Sequence, residues 1–168
     1  MASTRAIASG RSWRAAAAGS SRGASADHDR RVKLAILDTS VYITHGEHKL
    51  SDVVLTALRR AYVVRHSAVV LSELRRGTST NAGRRWVAEL ARAATAIWAP
   101  AAADWWDAGR LIQQFGDARH WNTSKRRDFQ NDALIALTAK RHGATVVTAD
   151  RADFELLGSA LHIQVRFV

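Results

Sequence analysis

Two short aliphatic runs, each ending on an aspartate, constrain the fold more than any other feature of the sequence. The first is "VKLAILD", which ends at Asp38, and the second is "ATVVTAD", which ends at Asp150. Neither run alternates polar and apolar residues, so both predict strands that are buried on two sides. Helical patterns lie between them, and this order favours an α/β domain with a mainly parallel central sheet. A last strand is predicted in "LHIQVRFV".

The segments between these strands have helical patterns. Pro100 is the only proline of the chain and is expected to end the third helix. His45 and His48 lie in "THGEHK", which is predicted to be a loop, and no further ligand nearby supports a histidine metal site. The predicted helices are "SDVVLTALRRA", "HSAVVLSELRRG", "NAGRRWVAELARAATAIWAP", "AADWWDAGRLIQQFG", "DFQNDALIALTAKRHG" and "RADFELLG".

Length and charge limit the classes of function. The chain has 168 residues, which suits one domain with a real core. Its net charge of +10 favours polyanionic partners such as nucleic acid. There is no cysteine, so disulfides and thiolate metal sites are excluded and a reducing, cytoplasmic location is expected. No apolar run approaches the roughly 20 residues that a membrane span needs.

The first 31 residues differ in composition from the rest of the chain. They are built mainly from Ala, Ser, Gly and Arg and contain six arginines but only two acidic residues. Such a segment cannot bury enough apolar surface to offset the entropy of ordering it. We therefore predict a disordered basic extension over residues 1–31, followed by a single domain over residues 32–168.

Asp38 and Asp150 each follow a predicted strand, and each allows two interpretations. Aspartate is a preferred helix N-cap, so either residue could simply start the next helix. In open parallel sheets, however, ligands bind at the carboxyl ends of the strands, where both residues are expected. The local pattern leaves the two interpretations open.

Glu73 and Asp132 are two further candidate acids. Glu73 lies on the same helical face as Val69 and Val70, and a carboxylate on an apolar face must be paired, protonated or bound to a metal. Arg75 or Arg76 could pair with it. Asp132 is predicted near the start of a helix, where an acid is also favoured by the helix dipole alone.

Carboxylates from these separate segments could converge at one edge of the sheet. They would repel one another strongly unless a cation lay among them, and a site with only oxygen ligands favours Mg²⁺ or Mn²⁺. Such a centre commonly serves phosphoryl chemistry, in which the cation activates a water and stabilises charge on the attacked phosphate.

The sequence resembles the PIN-domain ribonucleases, in particular the VapC-like toxins of type II toxin–antitoxin systems. The resemblance extends from Leu34 to the C-terminus, and the motifs occur in the expected order. It implies a three-layer α/β/α sandwich and a Mg²⁺- or Mn²⁺-dependent ribonuclease that is inhibited by a small antitoxin and forms a homodimer. The segments that carry it are "LAILDTSVYI", "VVLSELRRG", "NDALIALTAKRHGATVVTAD" and "RADF".

The resemblance also assigns roles to individual residues. Asp38, Asp132 and Asp150 would bind the metal, with Glu73 and Asp153 as further candidates and Asp153 an alternative to Asp150 as the fourth acid. The catalytic acids would be Asp38, Glu73, Asp132 and Asp150. The supporting polar groups near the metal would be Thr39, Ser40 and Thr148.

Basic residues flank two of these acids. Phosphates entering the acidic centre would need such cations nearby, so we predict that they bind RNA, although such runs are often only solvated surface. The predicted RNA-binding residues are Arg75, Arg76, Lys125, Arg126 and Arg127.

Three questions are left open by the sequence. A PIN-like module that binds RNA or a partner without cleaving is the alternative to a nuclease. The residues before Val32 are additional to the usual pattern of these toxins, and their role is the second open question. Trp105 and Trp106 are adjacent in one helix and cannot both face the core, so one is expected either at a dimer or antitoxin surface or partly exposed beside a core tryptophan.

Overall fold

A five-stranded sheet lies at the centre of the computed structural model, which describes residues 32–168. The strands are β1 (Leu34–Leu37), β2 (Val63–Ser67), β3 (Ile97–Trp98), β4 (Thr145–Thr148) and β5 (Val165–Phe167). Their spatial order is β3-β2-β1-β4-β5, and every neighbouring pair is parallel. The central strand β1 and its neighbour β4 are the two aliphatic runs, and both are largely buried as strands with helices on both faces should be.

Seven helices connect the strands within the described residues. The chain runs from β1 outward to β3 and then returns past β1 to β4, so the right-handed crossovers that are the rule for parallel strands are expected to place the helices before β3 and those after it on opposite faces. The predicted α/β class with a parallel central sheet is therefore confirmed. The helices are α1 (Thr39–Gly46), α2 (Asp52–Ala61), α3 (Ala68–Gly77), α4 (Asn81–Ala93), α5 (Ala102–Ala118), α6 (Thr123–Arg141) and α7 (Arg151–Leu161).

Helix α6 supplies much of the core. Its second half is apolar nearly all round, because it packs against α5, α7, β1 and β4. Phe129 is fully buried at the start of this stretch. Its ring packs edge-on against the ring of Phe115 in α5, with 5.9 Å between the ring centres. The other buried residues of the helix are Ala133, Leu134, Ile135, Ala136, Leu137, Thr138 and Ala139.

Strands β2 and β3 were not predicted from the sequence. His66 and Ser67 were assigned to a helix that begins only at Ala68, and the third helix was extended to Pro100 although α4 ends at Ala93. Strand β3 has only two residues and is held by pairing with His66 and Ser67 at the sheet edge. So short an edge strand leaves no periodic pattern, and its formation depends on the strand beside it.

Two helix boundaries also differ from the prediction. The segment after β1 forms α1 as far as Gly46, where a loop was expected from Thr44. Helix α6 begins at Thr123, because the Asn122 side chain accepts a hydrogen bond from the Lys125 amide at 2.9 Å and caps it. Asp132 therefore lies in the middle of α6, and its interpretation as a first-turn acid was wrong.

The adjacent tryptophans of α5 both lie at the surface. Trp105 is 51% exposed and Trp106 is 81% exposed, so the alternative with one core tryptophan was wrong. The buried position at the start of this helix is taken by Asp104, whose carboxylate accepts from the Ala101 amide at 2.7 Å and lies 3.0 Å from Arg141 Nη2. Satisfied hydrogen bonds allow this acid to occupy the core-facing position.

The predicted extension over residues 1–31 lies outside the described residues, so the division of the chain into two parts stays a prediction. Between residues 32 and 168, no helix is long and apolar enough to cross a membrane.

Candidate active site

Asp38 stands at the junction of β1 and α1. It is buried, with 3% of its surface exposed, and it caps α1 by accepting from the Ser40 amide at 3.3 Å. The same oxygen, Oδ2, also accepts from Ser40 Oγ at 2.6 Å and Thr148 Oγ1 at 2.9 Å. Burial raises the pKa of Asp38, and these hydrogen bonds from Ser40 and Thr148 oppose the rise by favouring the carboxylate.

Ser40 and Thr148 join the ends of β1 and β4. Their hydroxyl oxygens lie 3.1 Å apart, and each accepts a hydrogen bond from the backbone after β4. The Ala149 amide donates to Ser40 Oγ at 2.9 Å, and the Asp150 amide donates to Thr148 Oγ1 at 2.9 Å. The strand ends that carry Asp38 and Asp150 are therefore tied together by these two hydroxyls, whose supporting role near a metal stays a prediction.

Glu73 reaches the same region from α3. Thr39 Oγ1 donates to its Oε2 at 2.5 Å, and Asn131 Nδ2 donates to its Oε1 at 2.8 Å. The Glu73 carboxylate is therefore accommodated by a hydrogen bond to each of its two oxygens. Arg75 points elsewhere, since its Nη1 donates to the Arg84 carbonyl at 3.2 Å.

Asp132, Asp150 and Asp153 form the tightest group of acids. One carboxylate oxygen from each lies within 4.8 Å of the others. Asp132 comes from α6, whereas Asp150 caps α7 and accepts from the Asp153 amide at 3.3 Å. Both acids considered for the fourth position, Asp150 and Asp153, therefore lie at the site.

The charges of Asp38 and Glu73 also act on this group. Burial and the neighbouring carboxylates of Asp38, Asp153, Glu73 and Asp150 together raise the pKa of Asp132 to about 9. Carboxylates that repel one another so strongly are the donor set that a hard divalent cation neutralises, and Mg²⁺ or Mn²⁺ fits oxygen ligands of this kind. We call these five residues the acidic centre: Asp38, Glu73, Asp132, Asp150 and Asp153.

The fold explains why these acids meet. Strands β1 and β4 are neighbours, and the connections leave them in opposite directions, so their carboxyl ends form the switch point of the sheet, where open parallel sheets bind ligands. Asp38 follows β1 and Asp150 follows β4. Helices α3 and α6 pack against each other and bring Glu73 and Asp132 to the same edge.

The basic residues predicted to bind RNA have different environments. Lys125 pairs with Asp153 of the acidic centre, through its Nζ and the Asp153 Oδ2. Arg126 is held away from it, because its Nη2 donates to Asp117 Oδ1 at 2.8 Å and its Nε donates to the Trp121 carbonyl at 3.2 Å. The remaining three lie at the surface: Arg75, Arg76 and Arg127.

Two features of the site were not found from the sequence. Asn131 was not singled out, although it holds Glu73 from a position 58 residues further along the chain. The ion pair between Lys125 and Asp153 was also missed. Both contacts join elements that are distant in sequence, and no local pattern indicates them.

A comparison with protein families agrees with this geometry. The model of the PIN domain matches residues 35–158, which is most of the chain. The chain belongs to the PIN-domain family. The match contains β2, β3 and β4, all of β1 except Leu34, and all five acids of the acidic centre, and it ends before β5 of this PIN domain.

Solved structures with the same fold come from toxin–antitoxin complexes. VapBC2 from Rickettsia felis, bound to a DNA fragment from its promoter, has a TM-score of 0.59 at 18% identity and covers 80% of this chain and 98% of its own. VapBC-1 from nontypeable Haemophilus influenzae has a TM-score of 0.60 at 16% identity, with 80% and 97% covered. VapBC-5 from Mycobacterium tuberculosis has a TM-score of 0.52 at 22% identity, with 80% and 98% covered.

At these identities the likeness concerns the fold of the PIN domain. A comparison with curated proteins gave no significant match.

Proposed function

We propose that the protein is a divalent-metal-dependent endoribonuclease and the toxin of a toxin–antitoxin pair. The observation that carries the proposal is the acidic centre, in which carboxylates from β1, α3, α6 and α7 converge at the switch point of the sheet. Membership of the PIN-domain family supports a nuclease as the class of enzyme.

In this proposal Asp38, Asp132 and Asp150 hold a Mg²⁺ or Mn²⁺ ion. A bound ion of this kind would lower the pKa of a water ligand and stabilise the negative charge that develops on the phosphate. The reaction is hydrolysis, in which a water oxygen bonds to phosphorus, one phosphorus–oxygen ester bond breaks, and the leaving oxygen gains a proton.

The chain's own residues prepare the site for this reaction. Ser40 and Thr148 fix the Asp38 carboxylate through Oδ2. Thr39 and Asn131 fix both oxygens of Glu73, which makes Glu73 our candidate for orienting the attacking water. Side chains that are held in place before the substrate arrives lose little entropy during the reaction.

RNA is proposed as the substrate because of the basic charge of the chain and its resemblance to PIN-domain ribonucleases. Arg75, Arg76 and Arg127 are exposed and could contact phosphates that approach the acidic centre. Arg126 is less suited to this role, since Asp117 and the Trp121 carbonyl already bind its guanidinium.

The toxin role and the partners rest on the similar structures. Those structures are named as VapBC toxin–antitoxin systems, and one of them is bound to promoter DNA. We propose by analogy that a small antitoxin binds this chain and that the chain forms a homodimer. Growth arrest on expression of the chain, relieved by the product of a neighbouring small reading frame, is the expected result. Arrest that no neighbouring product relieves would contradict the toxin–antitoxin assignment.

The nuclease proposal is tested by replacing Asp38 with asparagine. We expect Asp38→Asn to reduce Mg²⁺-dependent RNA cleavage by at least about 100-fold, because a metal-binding charge is lost from a buried position. The matched control is Asp107→Asn, since Asp107 lies on α5 beside Arg110 and outside the acidic centre. Cleavage by Asp38→Asn at the wild-type rate would contradict the nuclease proposal.

RNA binding measured on the same variants separates the two hypotheses. If the wild-type protein binds RNA but never cleaves it with Mg²⁺ or Mn²⁺ present, the alternative of a non-cleaving PIN-like binding module is supported instead.

A further inference from the structure

Lys125 is the one cation in residues 32–168 that forms an ion pair with a member of the acidic centre. It lies in the first turn of α6, where Asn122 fixes its amide, and Asp153 lies in the first turn of α7. The ion pair therefore joins the beginnings of two packed helices at the edge where the other acids meet.

The surroundings of Lys125 differ from those of a solvated surface lysine. Its Nζ lies 5.4 Å from the centre of the Trp121 ring and 6.0 Å from that of Phe129. Aromatic faces at such distances attract an ammonium group, so they hold the charge in addition to Asp153. Only 39% of the Lys125 side chain and 9% of the Asp153 side chain are exposed. Other protein atoms therefore cover most of the surface of both side chains.

This placement bears on the number of divalent ions that the acidic centre can hold. Enzymes that hydrolyse phosphodiesters with two metal ions use the second ion to stabilise the leaving oxygen. Asp153 is near enough to Asp132 and Asp150 to share an ion with them. Its carboxylate, however, already forms an ion pair with the Lys125 ammonium group.

We propose that Lys125 is the second cation of the acidic centre, so that the site takes a single divalent ion and Asp153 binds Lys125 instead of metal. This inference rests on the proposed function. It gives Lys125 a positioning role toward Asp153 and places its positive charge beside the phosphate that the acidic centre would bind. Asp150 is then the fourth metal-site acid, and Asp153 is not a ligand.

Counting bound Mn²⁺ tests the proposal without a measurement of activity. We expect one Mn²⁺ per wild-type chain by electron paramagnetic resonance titration. Lys125→Met keeps an unbranched apolar side chain of similar length but removes the charge. It should bind a second Mn²⁺, or bind the first about tenfold more tightly, because a unit charge within a few ångströms of a divalent ion contributes at least that much.

The matched control is Lys49→Met. Lys49 pairs with Glu47 at 2.7 Å in the segment after α1, so this variant loses the same charge outside the acidic centre and should bind Mn²⁺ as the wild type does. Two ions bound to the wild-type chain, or unchanged number and affinity in Lys125→Met, would overturn the proposal. If Lys125→Met does not fold, Lys125→Gln is measured in its place.

Asp153→Asn gives an independent test. Because Asp153 is not a metal ligand in this proposal, the variant should still bind one Mn²⁺, with an affinity about tenfold lower because a nearby negative charge is lost, whereas loss of a ligand should abolish binding. Abolished Mn²⁺ binding in Asp153→Asn would contradict the proposal. Asp132→Asn should abolish binding in either case and serves as the positive control.

Cleavage assays distinguish failure of this inference from failure of the proposed function. With the nuclease function intact, Lys125→Met should lower kcat more than it raises KM, and Lys125→Arg should recover part of kcat because it restores the charge. Equal cleavage by Lys125→Met and wild type would reject the role of Lys125 alone. Absence of metal-dependent cleavage by the wild type would instead reject the proposed function, while the Mn²⁺ count would still test the charge role.

Discussion

At the end of β1, the carboxylate of Asp38 caps α1 and also belongs to the acidic centre. The two roles are compatible because the cap and the hydroxyl groups of Ser40 and Thr148 all use the same oxygen, Oδ2. Hydrogen bonds to the charged form offset part of the cost of burying it. Residue by residue, the site therefore depends as much on small hydroxyl side chains as on the acids.

Removal of the Ser40 hydroxyl tests this dependence. Ser40→Ala eliminates the donor to Asp38 and the acceptor of the Ala149 amide, so we expect the free energy of unfolding to fall by about 1–3 kcal/mol. Urea denaturation measures the change. Ser72→Ala, at an exposed position of α3, is the control and should stay within about 0.5 kcal/mol of the wild type.

The raised pKa of Asp132 predicts how the metal-free protein responds to pH. Its pKa is about 9 in the folded chain against an ordinary value of 3.8, so the folded state holds the proton more tightly than the unfolded state does. This contribution to stability is fully present below about pH 4 and is lost as the pH rises toward 9.

Asp132→Asn should remove that loss, since the amide does not ionise. Unfolding by urea in the presence of a chelator, measured between pH 5 and 9, should give a smaller decline with pH for the variant than for the wild type. Parallel pH profiles for the two proteins would show that Asp132 is not protonated in the folded state.

Among the elements, α6 contributes most to the site. It carries Asp132 and Asn131 side by side and presents Lys125 to Asp153 from its first turn. This arrangement requires the helix to begin at Thr123, five residues before the start that the apolar pattern indicates. The polar first turn has no hydrophobic periodicity, so its helical structure depends on its cap and on contacts with neighbouring elements.

Loss of the cap should weaken this turn. Asn122→Ala removes the acceptor of the Lys125 amide, and we expect a decrease of about 1 kcal/mol in the free energy of unfolding. Asn122→Asp retains a capping oxygen and should remain close to the wild type. Hydrogen exchange of the amides of α6 is the measurement, and faster exchange should be confined to its first turn. Equal exchange in Asn122→Ala would exclude the cap as the cause of the early helix start.

In the whole molecule, the strand order brings the acidic centre together. Segments separated by about 110 residues become neighbours because β4 lies beside β1 in the sheet. The hydrogen bond from Thr148 to Asp38 joins two such segments. The centre is therefore complete only in the folded chain, and an ion that binds it should stabilise the fold as a whole.

Divalent ions should accordingly raise the thermal midpoint of unfolding. Binding to the folded state alone adds about 2.7 kcal/mol when the free ion concentration is 100 times Kd. We expect Mn²⁺ to raise the midpoint of the wild type and a chelator to reverse the rise. The double variant Asp132→Asn, Asp150→Asn should show no rise, and a rise equal to that of the wild type would place the ion elsewhere.

The sequence by itself determined β1 and β4, most helices, and the acids at the strand ends, because these depend on local hydrophobic pattern and chain order. Only the tertiary structure decided the strands β2 and β3, the exposure of Trp105 and Trp106, and the partners of Glu73 and Asp153. Those features arise from pairing and packing between distant segments. No local stretch of residues specifies such contacts, because their free energy depends on both segments at once.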